Sequence, residues 1–335
     1  MKRELLEHLR RPKTGQRLML QDDQDAHLPG HEIHAGWLVS EDRQHRYPVR
    51  GGVPRFVPAS NYADSFGFQR NTHAKTQLDR HSGLPISRDR LFEVTRWPTD
   101  MRGQRFLEAG SGAGRFSEVL LATGAELVSF DYSTAVDANW ANNAGKGSFH
   151  LFQGDIFNIP LQEASFDKVF CLGVLQHTPD PAAGFASLAR YVKPGGQLAV
   201  DAYTRSPTAW LQWKYLLRPI TKRLGKTKLY RFIEVCTPPL VPLAALLRRL
   251  FGRAGGRVLP IVQYAHLGLP PKLNAQWAIL DTFDMYSPEH DHPQSLQAVR
   301  AWFEAAGFVD IDVRYGLNGV VGTGTRPRAV ASAAG

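Results

Sequence analysis

The chain places three glycines at alternate positions, Gly110, Gly112 and Gly114, between the apolar run Phe106–Ala109 and a helix-forming stretch that opens at Arg115. A backbone without Cβ turns sharply there and lets a ligand come close, and the next helix offers amide N–H groups that its own turns leave free. Loops that cradle a pyrophosphate space their glycines G-x-G-x-x-G. The tighter G-x-G-x-G, with Glu108 two residues ahead, suits a ligand without phosphates. Further carboxylates stand at strand ends downstream. Asp131 closes Glu126–Asp131, where a carboxylate accepts hydrogen bonds from two ribose hydroxyls, a placement that by itself suits NAD as well. Asp155, in Phe152-Gln-Gly-Asp-Ile156, is placed to accept from an adenine amino group, with Ile156 against the ring. His177 follows the strand Phe166–Leu172, at the edge where such sheets bind ligands, and histidine exchanges a proton near neutral pH. It reads either as a general base or as a residue that caps the Pro179-Asp-Pro181 turn or bonds the cofactor. Gln176 beside it reads as a residue that orients acceptor or cofactor.

Strands that end on one edge are needed to bring these groups together. From residue 104 to 203 apolar strands and helices alternate, ending in Tyr191-Val-Lys-Pro-Gly-Gly-Gln-Leu-Ala-Val-Asp201, which predicts an α/β fold with a parallel sheet. Ser295–Gly307 reads as an amphipathic helix stopped by glycine, and Val309–Arg314 with Val320–Thr325 as a hairpin.

The glycine loop, Asp131, Gly154-Asp155, Leu175-Gln-His-Thr-Pro179 and Lys193-Pro-Gly-Gly196 together resemble the core of a class I S-adenosylmethionine-dependent methyltransferase. The resemblance covers residues 104–203. It implies a Rossmann-like sheet whose last strand is antiparallel, and S-adenosylmethionine as cofactor. It also implies that the cofactor is held by Glu108, Gly110, Gly112, Gly114, Asp131, Tyr132, Asp155, Ile156, Leu172 and Gly173. In that family a helix before the glycine loop often covers the cofactor, a place filled here by Tyr62 or Phe66, although aromatic residues so spaced also suit simple packing.

The first 58 residues resemble the small zinc ribbon that precedes some methyltransferases, without its cysteines. Where two C-x-x-C pairs belong, the chain has Arg11 and Thr14, then Ser40 and Arg43, none of which supplies a thiolate. A metal-free relic is expected, resting on Leu5, Leu9, Leu18, Leu38, Tyr47, Val49, Val53 and Phe56, and no metal site is expected elsewhere.

The 335 residues carry a net charge of +9 and only two cysteines, Cys171 and Cys236, which excludes a disulfide framework and suits a reducing compartment. Neither a signal peptide nor a stretch able to span a bilayer is expected, so the expected address is cytoplasmic, with peripheral membrane contact. That contact is expected through residues 205–257, where much of the positive charge is concentrated against the single acid Glu234. Trp213, Leu216, Leu217, Ile220 and Leu224 fall at helical spacing, with Lys214, Arg218 and Lys222 on the opposite face. A second basic amphipathic stretch runs from Leu240 to Phe251. The bland reading packs these helices on the core with solvated basic faces. The others make them a lid, a bilayer contact or a grip on a phosphate-bearing substrate.

Residues 281–293 read as a lid loop presenting Asp284, Tyr286, His290 or His292 to the acceptor. The expected organisation is thus a ribbon-like domain (1–58), connecting helices (59–103), the cofactor half of the core (104–204), a helical insertion (205–294), a final helix and hairpin (295–328) and a tail (329–335). The expected function is O-methylation of a small-molecule or lipid- or glycan-linked acceptor, with Tyr62, Gln176, Tyr286 and His290 around that acceptor. RNA methylation is the rival; the chain lacks the Asn-Pro-Pro-Tyr signature and the catalytic cysteine pair, so nucleic acid is not the expected partner. A cofactor-binding interaction protein without catalysis is the third reading.

Overall fold

A computed structural model of the chain describes residues 1–23, 32–58, 60–206 and 212–328, except for the side chain of Arg253. The tail expected at 329–335 lies outside the described residues. The amino-terminal segment forms α1 (Arg3–His8) and an antiparallel meander of β1 (Leu18–Gln21), β2 (Gly36–Ser40), β3 (Arg46–Arg50) and β4 (Val53–Pro54). It does not stand apart from the rest. Leu5, Leu9, Leu18, Leu38 and Val49 share one core with Val128, Phe130 and Phe152 of the central strands. The backbone is joined as well: Arg10 N donates to Pro160 O, and Phe56 N to Gln153 O, each at 2.9 Å.

Helices α2 (Asp64–Thr72), α3 (Asp79–Ser82) and α4 (Ile86–Thr95) lead into the alternating core of β5 (Arg105–Ala109), α5 (Arg115–Leu121), β6 (Glu126–Asp131), α6 (Val136–Asn143), β7 (Phe149–Gln153), β8 (Phe166–Leu172), α7 (Pro181–Ala189) and β9 (Val192–Ala202). The core strands are apolar along their length because helices cover both sheet faces. Next come α8 (Trp213–Thr221), α9 (Lys226–Gly255) and α10 (Pro271–Tyr286), then α11 (Leu296–Ala305), β10 (Val309–Gly316) and β11 (Gly319–Thr325). Ser295 caps α11, its Oγ accepting from Ala298 N at 3.1 Å.

Among the described residues the central sheet has seven strands in the order β7-β6-β5-β8-β9-β11-β10. Strands β5 to β9 are parallel, and β11 pairs antiparallel with β9, Val320 opposite Ala202 and Thr325 opposite Gln197. This is the expected Rossmann-like sheet with its reversed last strand. From β5 the chain runs outward through β6 to β7 and then returns to place β8 on the other side of β5, so a crevice opens at the carboxyl ends of these strands.

Three expectations about the insertion fail. Residues 281–286, expected in a loop, complete α10, a helix that begins with a proline in its first turn. Helix α8 is turned over: Lys214 and Arg218 are buried, whereas Trp213, Leu216, Ile220 and Leu224 are exposed, because both cations find partners between 285 and 291. Finally, Lys226–Gly252 is long and apolar enough, by length and composition, to cross a membrane.

A buried polar chain fixes the glycine loop. Ser117 and Ser129 donate from Oγ to Glu108 Oε2 at 2.5 and 2.6 Å. Asn139 donates to Ser117, and Asn143 donates both to Asn139 and to the carbonyl of Gly114. Gly114 has φ +87°, and a Cβ there would lie 2.1 Å from Asn139 Oδ1, so glycine is required by helix packing. Burial raises the Glu108 carboxyl from 4.5 to about 7, against the two serine hydrogen bonds. A raised folded value means that its contribution is complete below the unfolded value and is lost as pH rises through the folded one. At roughly 1.4 kcal/mol per unit, thermal unfolding followed from pH 5 to 8 should lose stability less steeply for Glu108→Gln than for the parent.

Candidate cofactor and acceptor site

The crevice at the ends of β5, β6 and β8 deepens into a cavity of about 560 Å³. Its floor is the backbone of Gly110–Ala113, and its sides include Asp131, Tyr132, Gly154, Ile156, Leu172 and Gly173. Gly110, at φ +77°, passes so close to Val174 that a Cβ would lie 2.3 Å from Cγ2. At Gly112 the nearest such contact is 3.8 Å, on Arg70, so the loop is open toward the cavity there. Asp131 Oδ2 accepts from Gly112 N at 2.8 Å, and Oδ1 accepts from Ser133 N and Oγ at 2.8 and 2.7 Å. The carboxylate is thereby fixed against the loop before any ligand arrives.

Tyr62, just before α2, and Phe66 within it form another wall. Tyr62 stacks on Tyr132 with ring centroids 4.6 Å apart, and burial raises its phenol above the usual range. His177 lines the cavity between Phe66 and Tyr203, 5.1 and 5.4 Å away by ring centroids. Its Nδ1 faces the carbonyl of His290 at 3.1 Å, an oxygen that only accepts, so Nδ1 carries the hydrogen and Nε2 the lone pair. Burial lowers the imidazole to about 4, so it is neutral at physiological pH.

Other expected site residues stand elsewhere. Glu108 lies beneath the loop in the polar chain and does not line the cavity, and Gly114 packs against α6. Asp155 holds its own turn: Oδ1 accepts from Phe157 N at 3.0 Å and Oδ2 from Asn158 Nδ2 at 2.9 Å. Tyr286 donates to Pro260 O at 2.9 Å and is buried with Leu229, Tyr230 and Ile233. His290 offers its carbonyl to His177, while its ring lies edge-on to Tyr62 outside the cavity lining. Gln176 is fully buried, and its side-chain amide has no hydrogen-bond partner among the described residues.

Asp284, expected to face the acceptor, does line the cavity, whereas the cavity's basic residues were not recognised as site residues from the sequence. Arg70 pairs with Asp284 at 3.1 Å, Arg90 with Asp201 at 2.6 Å and Lys214 with Asp291 at 2.6 Å. Arg115 makes no such ion pair among the described residues. Its Nε donates to Ser87 Oγ at 3.1 Å, and its guanidinium lies 5.0 Å from the Phe116 ring and 5.6 Å from that of Trp277. Burial, then the nearby Arg90 and Arg70, lowers it to about 9. Burial raises the Asp284 carboxyl despite Arg70, and its Oδ1 has no hydrogen-bond partner among the described residues. Arg115 ended the glycine run and carried a signal by position, whereas Arg70, Arg90, Tyr203 and Trp277 come from distant segments with no local pattern.

Residues 107–200 match the family model described as methyltransferase domain. Among curated relatives, the demethylmenaquinone methyltransferase of Clavibacter sepedonicus is 28% identical over 135 residues, 39% of this chain and 55% of that protein. The ubiquinone biosynthesis O-methyltransferase of Alkalilimnicola ehrlichii is 33% identical over 125 residues, 36% of this chain and 51% of that protein. The chain thus spans about half the length of these relatives. Among solved structures, an O-methyltransferase family protein from Burkholderia thailandensis has a TM-score of 0.43 at 14% identity, over 78% of this chain and 60% of that one.

The different placements of the two aspartates separate their expected effects. Asp131→Ala should weaken S-adenosylhomocysteine binding in calorimetry by about 1–3 kcal/mol, because a lining carboxylate that also anchors Gly112 is removed. Asp155→Ala should leave the affinity within about threefold, below ~1 kcal/mol.

Proposed function

We propose that the chain is an S-adenosylmethionine-dependent methyltransferase that acts on an oxygen of a small-molecule acceptor. The observation that carries this reading is the Gly110–Ala113 loop, held by Asp131 at the sheet's switch point and open to the cavity at Gly112. The surroundings fit the cofactor: a carboxylate at the end of β6 for ribose hydroxyls, aromatic and aliphatic walls from Tyr62, Tyr132 and Ile156 for a planar base, and room for both reactants. When bound, S-adenosylmethionine supplies an activated methyl group on a sulfonium.

Positioning and exclusion of water are what the chain has to add. Helix α10 roofs the cavity with Trp277, Asp281, Asp284 and Met285, and α2 closes another side with Phe66 and Arg70. His177 Nε2 accepts the acceptor's hydroxyl hydrogen while Nδ1–H stays on the His290 carbonyl. The low basicity of this imidazole suits a proton that moves as the new bond forms rather than beforehand.

The same reading extends to three finer points. The acceptor is lipid- or glycan-linked, consistent with a cavity walled by aromatic and aliphatic groups. Residues 205–257 meet a membrane surface, with the rest of the protein on the cytoplasmic side. The amino-terminal meander is a ribbon that has exchanged metal for polar contacts: Arg11 bonds Asp42 at 2.8 Å and approaches His45 Nε2 at 3.0 Å, and Ser40 Oγ bonds Asp42 at 2.5 Å. These contacts link the two turns where the missing cysteine pairs would converge.

Calorimetry with S-adenosylmethionine, S-adenosylhomocysteine and NAD tests the cofactor; binding of NAD alone, or of none, would overturn the reading. Radiolabelled methyl transfer to lipid, glycan and RNA fractions of cell extract then tests the acceptor class. His177→Ala should lower that transfer about 10²-fold or more and leave S-adenosylhomocysteine affinity within about twofold. The parent should show no loss of rate from histidine protonation between pH 6 and 8, since His177 stays neutral above about 4.

A further inference from the structure

Helices α8 and α9 each carry exposed apolar residues on their outer side. On α8 the buried side is the charged one: Lys214 Nζ donates to Asp291 Oδ1 at 2.6 Å and Arg218 Nη2 to Pro288 O at 2.7 Å. The opposite side offers Trp213, Leu216, Ile220 and, just beyond the helix, Leu224, 39–62% exposed. On α9 the inner stripe of Leu229, Tyr230, Ile233, Val241 and Ala244 packs against Ala278, Ile279 and Phe283 of α10. A second stripe, Phe232, Val235, Leu243, Leu246 and Leu250, follows the helical repeat along the outer side and is 45–73% exposed. A soluble helix has no reason to keep two apolar stripes unless something covers the second.

The charge pattern says what that cover is. From Phe232 to Leu247 there is no Lys or Arg and one acid, Glu234, which accepts from Tyr230 of the inner stripe at 3.5 Å, while the ends carry Lys222, Arg223, Lys226, Lys228 and Arg231 on one side and Arg249 and Arg257 on the other, all exposed. An apolar centre between cationic ends fits an interface whose interior is hydrocarbon and whose rim is anionic. A second copy of the chain fits poorly, since antiparallel pairing would set Arg249 and Arg257 against Lys228 and Arg231. Although α9 is long enough to span a bilayer, its inner stripe is committed to α10, so it lies along the surface.

We propose that the outer surface of α8 and α9 docks on an anionic phospholipid membrane, with the apolar stripe at the acyl boundary and the flanking cations among the headgroups. This deepens the reading of residues 205–257 as a membrane contact and names the residues and the lipid charge. Lys214 of α8 also lines the cavity, so the docked face and the acceptor chamber share a wall.

Sedimentation of the full chain with phosphatidylcholine vesicles, with and without phosphatidylglycerol, tests the proposal. The protein should pellet with the mixed vesicles and stay largely in solution with pure phosphatidylcholine. The pair Leu243→Glu and Leu246→Glu, on exposed positions, should reduce binding about tenfold or more, with S-adenosylhomocysteine affinity and melting temperature unchanged. Lys228→Gln with Arg231→Gln should weaken binding and flatten its salt dependence. Failure to pellet with either vesicle would overturn the proposal, as would a dimer in light scattering that the leucine variants dissolve. Vesicle binding without cofactor binding would remove the methyltransferase reading and leave this one standing; the reverse result would do the opposite.

Discussion

The cavity depends on a carboxyl group that does not line it. Glu108 sits beneath the glycine loop and receives the hydroxyls of Ser117 on α5 and Ser129 on β6, and through Ser117 and Asn139 it is connected to Asn143 and the carbonyl of Gly114. Strand, loop and two helices are tied to one buried group. Asp131 adds the upper tie, taking the amide of Gly112. The loop is thus rigid before anything binds, and less conformational freedom remains to be lost on binding.

A second buried carboxylate organises the other end of the cavity. Asp201, at the end of β9, accepts from Gly173 N, Arg90 Nη2 and Asn318 Nδ2, joining the turn after β8 to α4 and the final hairpin. The reversed strand β11 makes this possible, because it brings Asn318 back beside β9. Helix α10 completes the enclosure: Trp277 donates to the carbonyl of Thr76 at 2.8 Å, and Asp284 pairs with Arg70, so the insertion is bonded to the segment before the glycine loop.

Where local pattern and tertiary role coincide, the site was legible in the sequence. The loop, Asp131, Ile156 and Gly173 lie where a strand ends, and a strand end in a parallel sheet is a binding edge whatever surrounds it. Glu108 and Asp155 occupy comparable positions but turn to neighbours within the fold, and spacing does not record which way a side chain turns. The inversion of α8 was hidden for a related reason. Its pattern was read with charges outward, and the partner that draws Lys214 inward is Asp291, 77 residues further on. Arg70, Arg90 and Trp277 were invisible likewise, each becoming part of the cavity only through contacts between distant segments.

The amino-terminal meander has a consequence for solubility. An open sheet has two edges, and an unpaired edge invites strands of other molecules. Strand β10 guards its edge with a break in register between Val309 and Asp312 and with the charges of Asp310, Asp312 and Arg314. Strand β7 has fully buried side chains and no such charges, and what covers it is the stretch after β4, where Arg55 bridges to Gln153 and Phe56 donates to its carbonyl. The amino-terminal meander is therefore a shield against aggregation, and a chain trimmed to the central sheet and its helices would expose both a hydrogen-bonding edge and the apolar residues that share its core.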